Sequence, residues 1–153
     1  MADNSKITEV KIYTDGACKG NPGPGGWGVI LIHEKGNKEL YGFVPETTNN
    51  RMELIAPIMA LMSLKKSCKV IIHSDSAYLI NSMTKGWVYQ WKKDNWYKGK
   101  PKEAVKNAEL WQMILTLSEL HDISWIKVKG HSTDVLNNRA DELANLAVKE
   151  GLK

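Results

Sequence analysis

Apolar and polar residues alternate from Val10 to Thr14, V-K-I-Y-T, the period of a strand that buries one face. The run ends in Asp15-Gly16. A Gly/Pro-rich stretch follows, K-G-N-P-G-P-G-G-W-G, and then a second strand-like run, Val29 to His33. A turn at Lys35-Gly36-Asn37-Lys38 leads to a third, Glu39 to Val44. Three such runs joined by turns predict an antiparallel meander. Gly23, Gly25 and Gly28 match the G-x-G-x-x-G spacing of a dinucleotide-binding loop. That reading is excluded, because Pro24 lies inside the match and a strand rather than a helix comes next.

The pattern then turns helical. Thr47-Thr48-Asn49-Asn50 is a start signal, and with Asn50 as N-cap, Glu53 takes the third helical position. Met52, Ile55, Met59 and Met62 form the expected buried stripe. Pro57 has no N–H for the Glu53 carbonyl and crowds it, at a cost of about 3 kcal/mol or a kink, so a bend is expected just after Glu53. Lys69 to His73 is a short apolar run, expected to be a strand covered on both faces. It ends at Ser74-Asp75-Ser76, and a helix from Ser76 to about Lys85 follows. A crossover from strand to strand through a helix implies parallel pairing. Later come a helix from about Val105 to Glu119, a strand Ile123 to Val128, and a Gly-His loop over 129–134. A last helix to about Lys149 has Leu136, Ala140, Leu143, Ala144 and Ala147 as its apolar stripe. The expectation is one α/β domain over 1–153. Its sheet is five-stranded and mixed, three antiparallel strands then two parallel, flanked by helices.

The stretch 84–106 differs from the rest. It carries seven lysines against Asp94 and Glu103, so its net charge of +5 exceeds the +4 of the whole chain. Trp87, Trp91 and Trp96 interleave with these lysines, as do Tyr89 and Tyr97. Trp87 and Trp91 are four apart, on one face of a short helix, and Trp87 is expected to lean partly into the core. The pI near 9.0 points the same way, towards a polyanionic partner. Otherwise 42% hydrophobic and 25% charged residues are those of a globular chain long enough for a sizeable core. Cys18 and Cys68 form no metal motif. With no apolar leader in Met1 to Glu9, a reducing cytoplasm is the expected compartment. The longest apolar run, Leu54 to Met62, is too short to span a bilayer.

Four carboxylates occupy notable places: Asp15 at the end of a core strand, Glu53 early in a helix, Asp75 after the apolar strand, and Asp141 beside the stripe of the last helix. Each has an ordinary reading alone. Asp15 could accept turn N–H groups, Glu53 could serve a capping box, Asp75 could N-cap, and Asp141 could be solvated. Yet a bare buried carboxylate at a strand end is costly unless paired, protonated or on a metal. Together the four suit divalent metal. Phosphodiester hydrolysis needs a positioned water, relief of charge on the phosphorane and an assisted leaving oxygen. Two Mg²⁺ ions held by hard oxygen ligands supply these.

The motifs Y-T-D-G-A-C-K-G-N-P-G-P-G-G-W-G, T-T-N-N-R-M-E-L, S-D-S, I-K-V-K-G-H-S and N-N-R-A-D-E-L-A, in this order, resemble type 1 ribonuclease H of the bacterial kind, from about Lys11 to Ala147. The resemblance implies the ribonuclease H-like fold. It implies an endonuclease that cuts the RNA strand of an RNA–DNA hybrid, leaving 5′-phosphate and 3′-hydroxyl ends. It assigns the metals, two Mg²⁺ with Mn²⁺ as a substitute, to Asp15, Glu53, Asp75 and Asp141. His131 would move a proton or help release product, a role that suits a group titrating near neutrality. Gly16, Cys18, Asn21, Thr48, Asn49 and Asn50 would meet the nucleic acid from loops. Trp87, Trp91, Lys92, Lys93 and Trp96 would form a basic protrusion on the DNA strand.

The chain departs from the family pattern at Ala77, where many relatives carry Gln, at Pro57, where Ala is commoner, and at Asp94, which dilutes the protrusion's charge. No room is expected for an N-terminal hybrid-binding domain, and a monomer with neither a membrane partner nor a small-molecule cofactor is expected. The competing readings are an inactive hybrid-binding module and a DNA-processing relative on the same fold. The intact carboxylate set argues against the first, and the T-T-N-N-R-M-E-L loop with its Lys/Trp protrusion against the second.

Overall fold

The computed structural model describes residues 8–129 and 134–153. Strands β1 (Thr8–Cys18), β2 (Gly23–His33) and β3 (Gly36–Thr47) form the expected meander. Helix α1 (Asn49–Met62) leads to β4 (Cys68–Ser74), α2 (Ala77–Thr84) and α3 (Trp87–Lys93). A two-residue ladder, β5 (Tyr97–Lys98) with β6 (Glu103–Ala104), precedes α4 (Ala108–Ser118), β7 (Asp122–Lys127) and α5 (Val135–Gly151). The main sheet runs β3-β2-β1-β4-β7, with β4 parallel to both β1 and β7. The five-stranded mixed sheet is therefore as the pattern predicted.

β1 is the central strand, and its alternation sets the layers. Val10 and Ile12 are buried against Met52, Ala56 and Ala60 of α1. The other face of β1 carries Lys11, Tyr13 and Asp15, and α5 lies on that side across β1, β2 and β3. Helix α1 also has a second side. Its Leu54 and Ile58 join Leu79, Ile80, Val88, Leu110, Trp111 and Ile114 in a separate core. Because α1 is enclosed between sheet and helices, its burial is not a single stripe. Met52, Leu54, Ala56, Pro57, Ile58, Ala60 and Leu61 are all buried, while Met59 and Met62 are exposed, contrary to the expected stripe. Each fully buried Leu or Met contributes about 1.5–3 kcal/mol of apolar burial.

Three local expectations change. Thr48, not Asn50, caps α1: its hydroxyl accepts from the Arg51 N–H at 3.2 Å. Asn50 lies inside the helix, one position past Asn49. α1 continues as one helix through Pro57. β4 is not covered on both faces. Val70 and Ile72 are buried, but Lys69 is exposed and Ile71 and His73 are half-buried, because α5 rests on β1–β3. On this open flank the rings of Tyr13 and His73 stack at 4.3 Å with planes 7° apart. The last helix begins at Val135. Its buried positions include Asn137 and Val148 beside Ala140, Leu143, Ala144 and Ala147, whereas Leu136 is half-buried.

Candidate active site

The site forms where β1 and β4 end, and two glycines bring the helices to it. A Cβ on Gly16 would lie 2.7 Å from the Met52 Cβ and 2.8 Å from the Glu53 nitrogen, so glycine is what lets the first turns of α1 rest on β1. On the opposite face, a Cβ on Gly28, the residue paired with Asp15, would lie 2.3 Å from the Ala140 carbonyl oxygen. α5 therefore sits almost on the β2 backbone, and Asp141, the next residue, reaches Asp15.

Four carboxylates face this place, from β1, α1, α5 and the turn after β4, and act on one another through their charges. Asp15, 8% exposed, feels the charges of Asp75 and Asp141 and shares a hydrogen bond with Asp141. Its pKa is pushed up to about 8, first by burial, then by Asp75, with Asp141 adding to both; only the Gly16 N–H, donating to Oδ1 at 2.8 Å, pulls it down. Glu53 feels Asp75 in turn. Burial raises its pKa most and Asp75 adds to this, while hydrogen bonds from the Ser76 side chain and from Asn49 Nδ2 (2.9 Å to Oε1) oppose the rise. Asp75 follows the last residue of β4, and Ser76 rather than Asp75 is the N-cap of α2, its Oγ accepting from the Leu79 N–H at 3.0 Å.

Crowded, partly buried, hard oxygen donors of like charge fit a divalent cation, which relieves their repulsion. Among the described residues no three carboxylate, thiol or imidazole groups stand close enough together to hold a metal ion by themselves. An open set suits Mg²⁺, which holds on to waters and takes one or two carboxylates plus substrate phosphate oxygens. His131 lies outside the described residues.

The residues expected to meet substrate cluster beside the carboxylates. The Asn49 N–H donates to Asn21 Oδ1 at 3.0 Å, which ties the β1–β2 loop to the start of α1. Asn21, Thr48 and Asn50 line a polar cavity of about 380 Å³ together with Lys106 and Asn107. The Gly16 N–H is taken by Asp15, and the Cys18 thiol donates to the Gly20 carbonyl at 3.0 Å. Burial raises the Cys18 pKa, so it stays a neutral thiol.

The sequence reading missed Lys106 and Asn107 as lining residues. Its one available signal was an Asn just before an apolar helical run, which looks like an ordinary N-cap. Asn107 does precede α4, but its side chain makes no cap. It takes a left-handed φ of 60°, accepts from Arg51 Nη1 at 3.1 Å and donates to the Tyr78 hydroxyl at 3.2 Å. Arg51 also pairs with Glu109, and Trp111 Nε1 donates to the same Tyr78 oxygen at 3.1 Å.

The Lys/Trp segment leans on the second core through Trp91 and Trp96, and Trp91 meets Trp111 edge-on at 5.9 Å. Trp87 is 43% exposed, against the expectation that it leans partly into the core, because the buried seam of α3 runs through Val88 and Trp91. Lys98 Nζ lies 5.4 Å over the Trp91 ring and Lys85 Nζ 5.5 Å over Trp87. Lys92 and Lys93 are exposed at the C-terminal end of α3, where the helix dipole favours cations.

A mixed sheet that gathers carboxylates at the ends of its central strands, flanked by an aromatic-backed lysine surface, defines a phosphodiester-cleaving nuclease. The family model described as RNase H matches residues 7–149. Ribonuclease H of Acetivibrio thermocellus is 57% identical over 147 residues, 96% of this chain and 99% of that one. Ribonuclease H of Caldanaerobacter subterraneus subsp. tengcongensis is 52% identical over 153 residues, 100% of this chain and 98% of that one. Among solved structures, LC9-RNase H1, described as a type 1 RNase H with the type 2 active-site motif, superposes with a TM-score of 0.83 at 31% identity, over 95% of this chain and 74% of that one. LC11-RNase H1 in complex with an RNA/DNA hybrid gives 0.72 at 29%, over 94% and 99%.

This chain belongs to the ribonuclease H family, the nucleases that hydrolyse phosphodiester bonds in the RNA of RNA–DNA hybrids. The family is generally divalent-metal dependent. Among the described residues no helix is long and apolar enough to cross a membrane.

Proposed function

We propose that this chain cuts the RNA strand of RNA–DNA hybrids by two-metal-ion catalysis, leaving 5′-phosphate and 3′-hydroxyl ends. Asp15, Glu53, Asp75 and Asp141 would hold two Mg²⁺, with Mn²⁺ as a substitute. The observation that carries this reading is the electrostatic coupling of the set: Asp15 hydrogen-bonds Asp141 and feels the charge of Asp75, and Glu53 feels Asp75. Bound Mg²⁺ supplies the positive charge that activates a water and stabilises the leaving oxygen.

The protein's part is positional. Asp15 and Asp75, whose charges act on each other, would be among the residues that hold the metals. Glu53 is held by a neutral donor, Asn49 Nδ2, at 2.9 Å from Oε1. His131, assigned by family resemblance, would help move a proton or release the product. Asn21, Thr48, Asn49 and Asn50, with Lys106 and Asn107, would meet sugar and phosphate beside the cleavage point. Trp87, Trp91, Trp96, Lys92 and Lys93 would grip the DNA strand as a protrusion spanning about 84–106. The domain acts as a monomer in this reading.

The test uses a short hybrid labelled on its RNA, beside duplex RNA and duplex DNA, with and without Mg²⁺. Cuts in the hybrid RNA alone, and only with metal, are expected. Cleavage of duplex DNA with the hybrid spared, or binding without cleavage in Mg²⁺ and Mn²⁺, would overturn it.

A further inference from the structure

The polar cavity beside the carboxylates takes its walls from three parts of the chain. Asn21 comes from the loop between β1 and β2, Thr48 and Asn50 from the start of α1, and Lys106 and Asn107 from the residues just before α4. Such a cavity binds well only if its walls keep a fixed spacing before the ligand arrives, because ordering them later costs affinity. The Asn49 N–H on Asn21 Oδ1 joins the first two walls. Arg51, in the first turn of α1, joins the second to the third.

Arg51 Nη1 donates to Asn107 Oδ1 at 3.1 Å and pairs with Glu109. A guanidinium carries donors only, so the atom it meets has to be the amide oxygen. The Asn107 amide is thereby fixed end for end. Its Nδ2 carries two protons, and the Tyr78 hydroxyl takes one of them at 3.2 Å. The Arg51 side chain is 34% exposed and its charge is matched by Glu109, which suits a strut rather than a phosphate contact. We propose that Arg51 is a positioning residue for hybrid binding: its guanidinium clamps the start of α1 to the start of α4 and turns the remaining Nδ2 proton of Asn107 to the cavity.

The inference rests on the reading given above, in which this cavity meets sugar and phosphate. The test measures the affinity of the full chain for a short RNA–DNA hybrid in EDTA over a salt series, and steady-state cleavage in Mg²⁺. Wild type is compared with Arg51→Met, Asn107→Ala, the double variant and Ile114→Val. Losing the clamp should weaken binding about tenfold, the scale of one hydrogen bond to a charged group. Arg51→Met should therefore raise KM about tenfold with kcat within about twofold of wild type. Its salt slope should match wild type, and adding Arg51→Met to Asn107→Ala should weaken binding no further. Ile114 is fully buried in the second core, and Ile114→Val trims α4 there without touching either partner of Arg51. It should lower Tm and leave KM unchanged. Wild-type affinity in Arg51→Met, a salt slope reduced by about 1, additive losses in the double variant, or an equal rise in KM in Ile114→Val would each overturn the role of Arg51. Unchanged affinity in Asn107→Ala would instead overturn the substrate reading of the cavity, and the inference with it.

Discussion

Replacing Asp15 by asparagine should abolish turnover and yet stabilise the metal-free protein. The side chain is 8% exposed, and its pKa is pushed up to about 8 by burial and by Asp75 and Asp141. In the unfolded chain it ionises near pH 4, at about the ordinary aspartate value. Between roughly pH 4 and pH 8 the folded state therefore binds a proton that the unfolded state has lost, so stability falls as pH rises through this window. At pH 7 the cost is at most about 4 kcal/mol, some three pH units at about 1.4 kcal/mol each. An asparagine side chain is uncharged and of the same shape, and its amide can donate to the neighbouring carboxylates. Allowing for solvent around the exposed Asp141, a gain of about 1–3 kcal/mol is expected, or roughly 3–10 °C in Tm for a domain of this size.

The assay is thermal unfolding in EDTA at pH 5.5, 7 and 8.5, followed by the same series in Mg²⁺. Asp15→Asn should melt above wild type in EDTA, by more at high pH. Added Mg²⁺ should raise wild type alone and close the gap. Hybrid affinity should change little. A variant that melts at or below wild type at pH 7 and 8.5, with the same pH slope, would refute the crowded-carboxylate argument. Wild-type turnover in the variant would remove Asp15 from the metal site.

Three further outcomes are expected. Lys92→Ala with Lys93→Ala should raise KM and reduce the slope of log affinity against log salt by about 1–2; an unchanged slope would mean that these lysines do not neutralise phosphates. Gly28→Ala places a methyl group 2.3 Å from the Ala140 carbonyl oxygen, so α5 must shift; a loss of about 1–3 kcal/mol by denaturant unfolding is expected, together with weaker Mg²⁺ binding as Asp141 moves. Tyr78→Phe removes the acceptor shared by Asn107 and Trp111; a stability loss of about 1–3 kcal/mol and weaker hybrid binding are expected, and unchanged binding would show that Asn107 needs no such anchor.

The sequence by itself determined the sheet and the order of the carboxylates along the chain. Strand periodicity in Val10 to Thr14 and the turn residues after it are local properties, and so is the crossover that makes β4 parallel to β1. The motifs around Asp15, Glu53 and Asp75 were legible because each lies near a strand end or a helix start, and Asp141 because it stands beside the apolar stripe of α5. What only the tertiary structure decided is how elements enclose one another. Met59 and Met62 looked like core at helical spacing, but α1 is buried on two sides, which no single-helix pattern encodes. Ile71 and His73 looked covered until α5 was seen to rest on β1–β3. Trp87 lost its place in the core to Val88. Asn107 falls within the helix expected from about Val105, but it precedes α4 and its amide is spent on Arg51 and Tyr78, distant in sequence. The glycine-rich run read as a turn. Its Gly28 lies within β2, where the missing side chain lets α5 carry Asp141 to Asp15. Periodicity reports one face of one element, whereas burial and hydrogen bonding depend on which other elements arrive there.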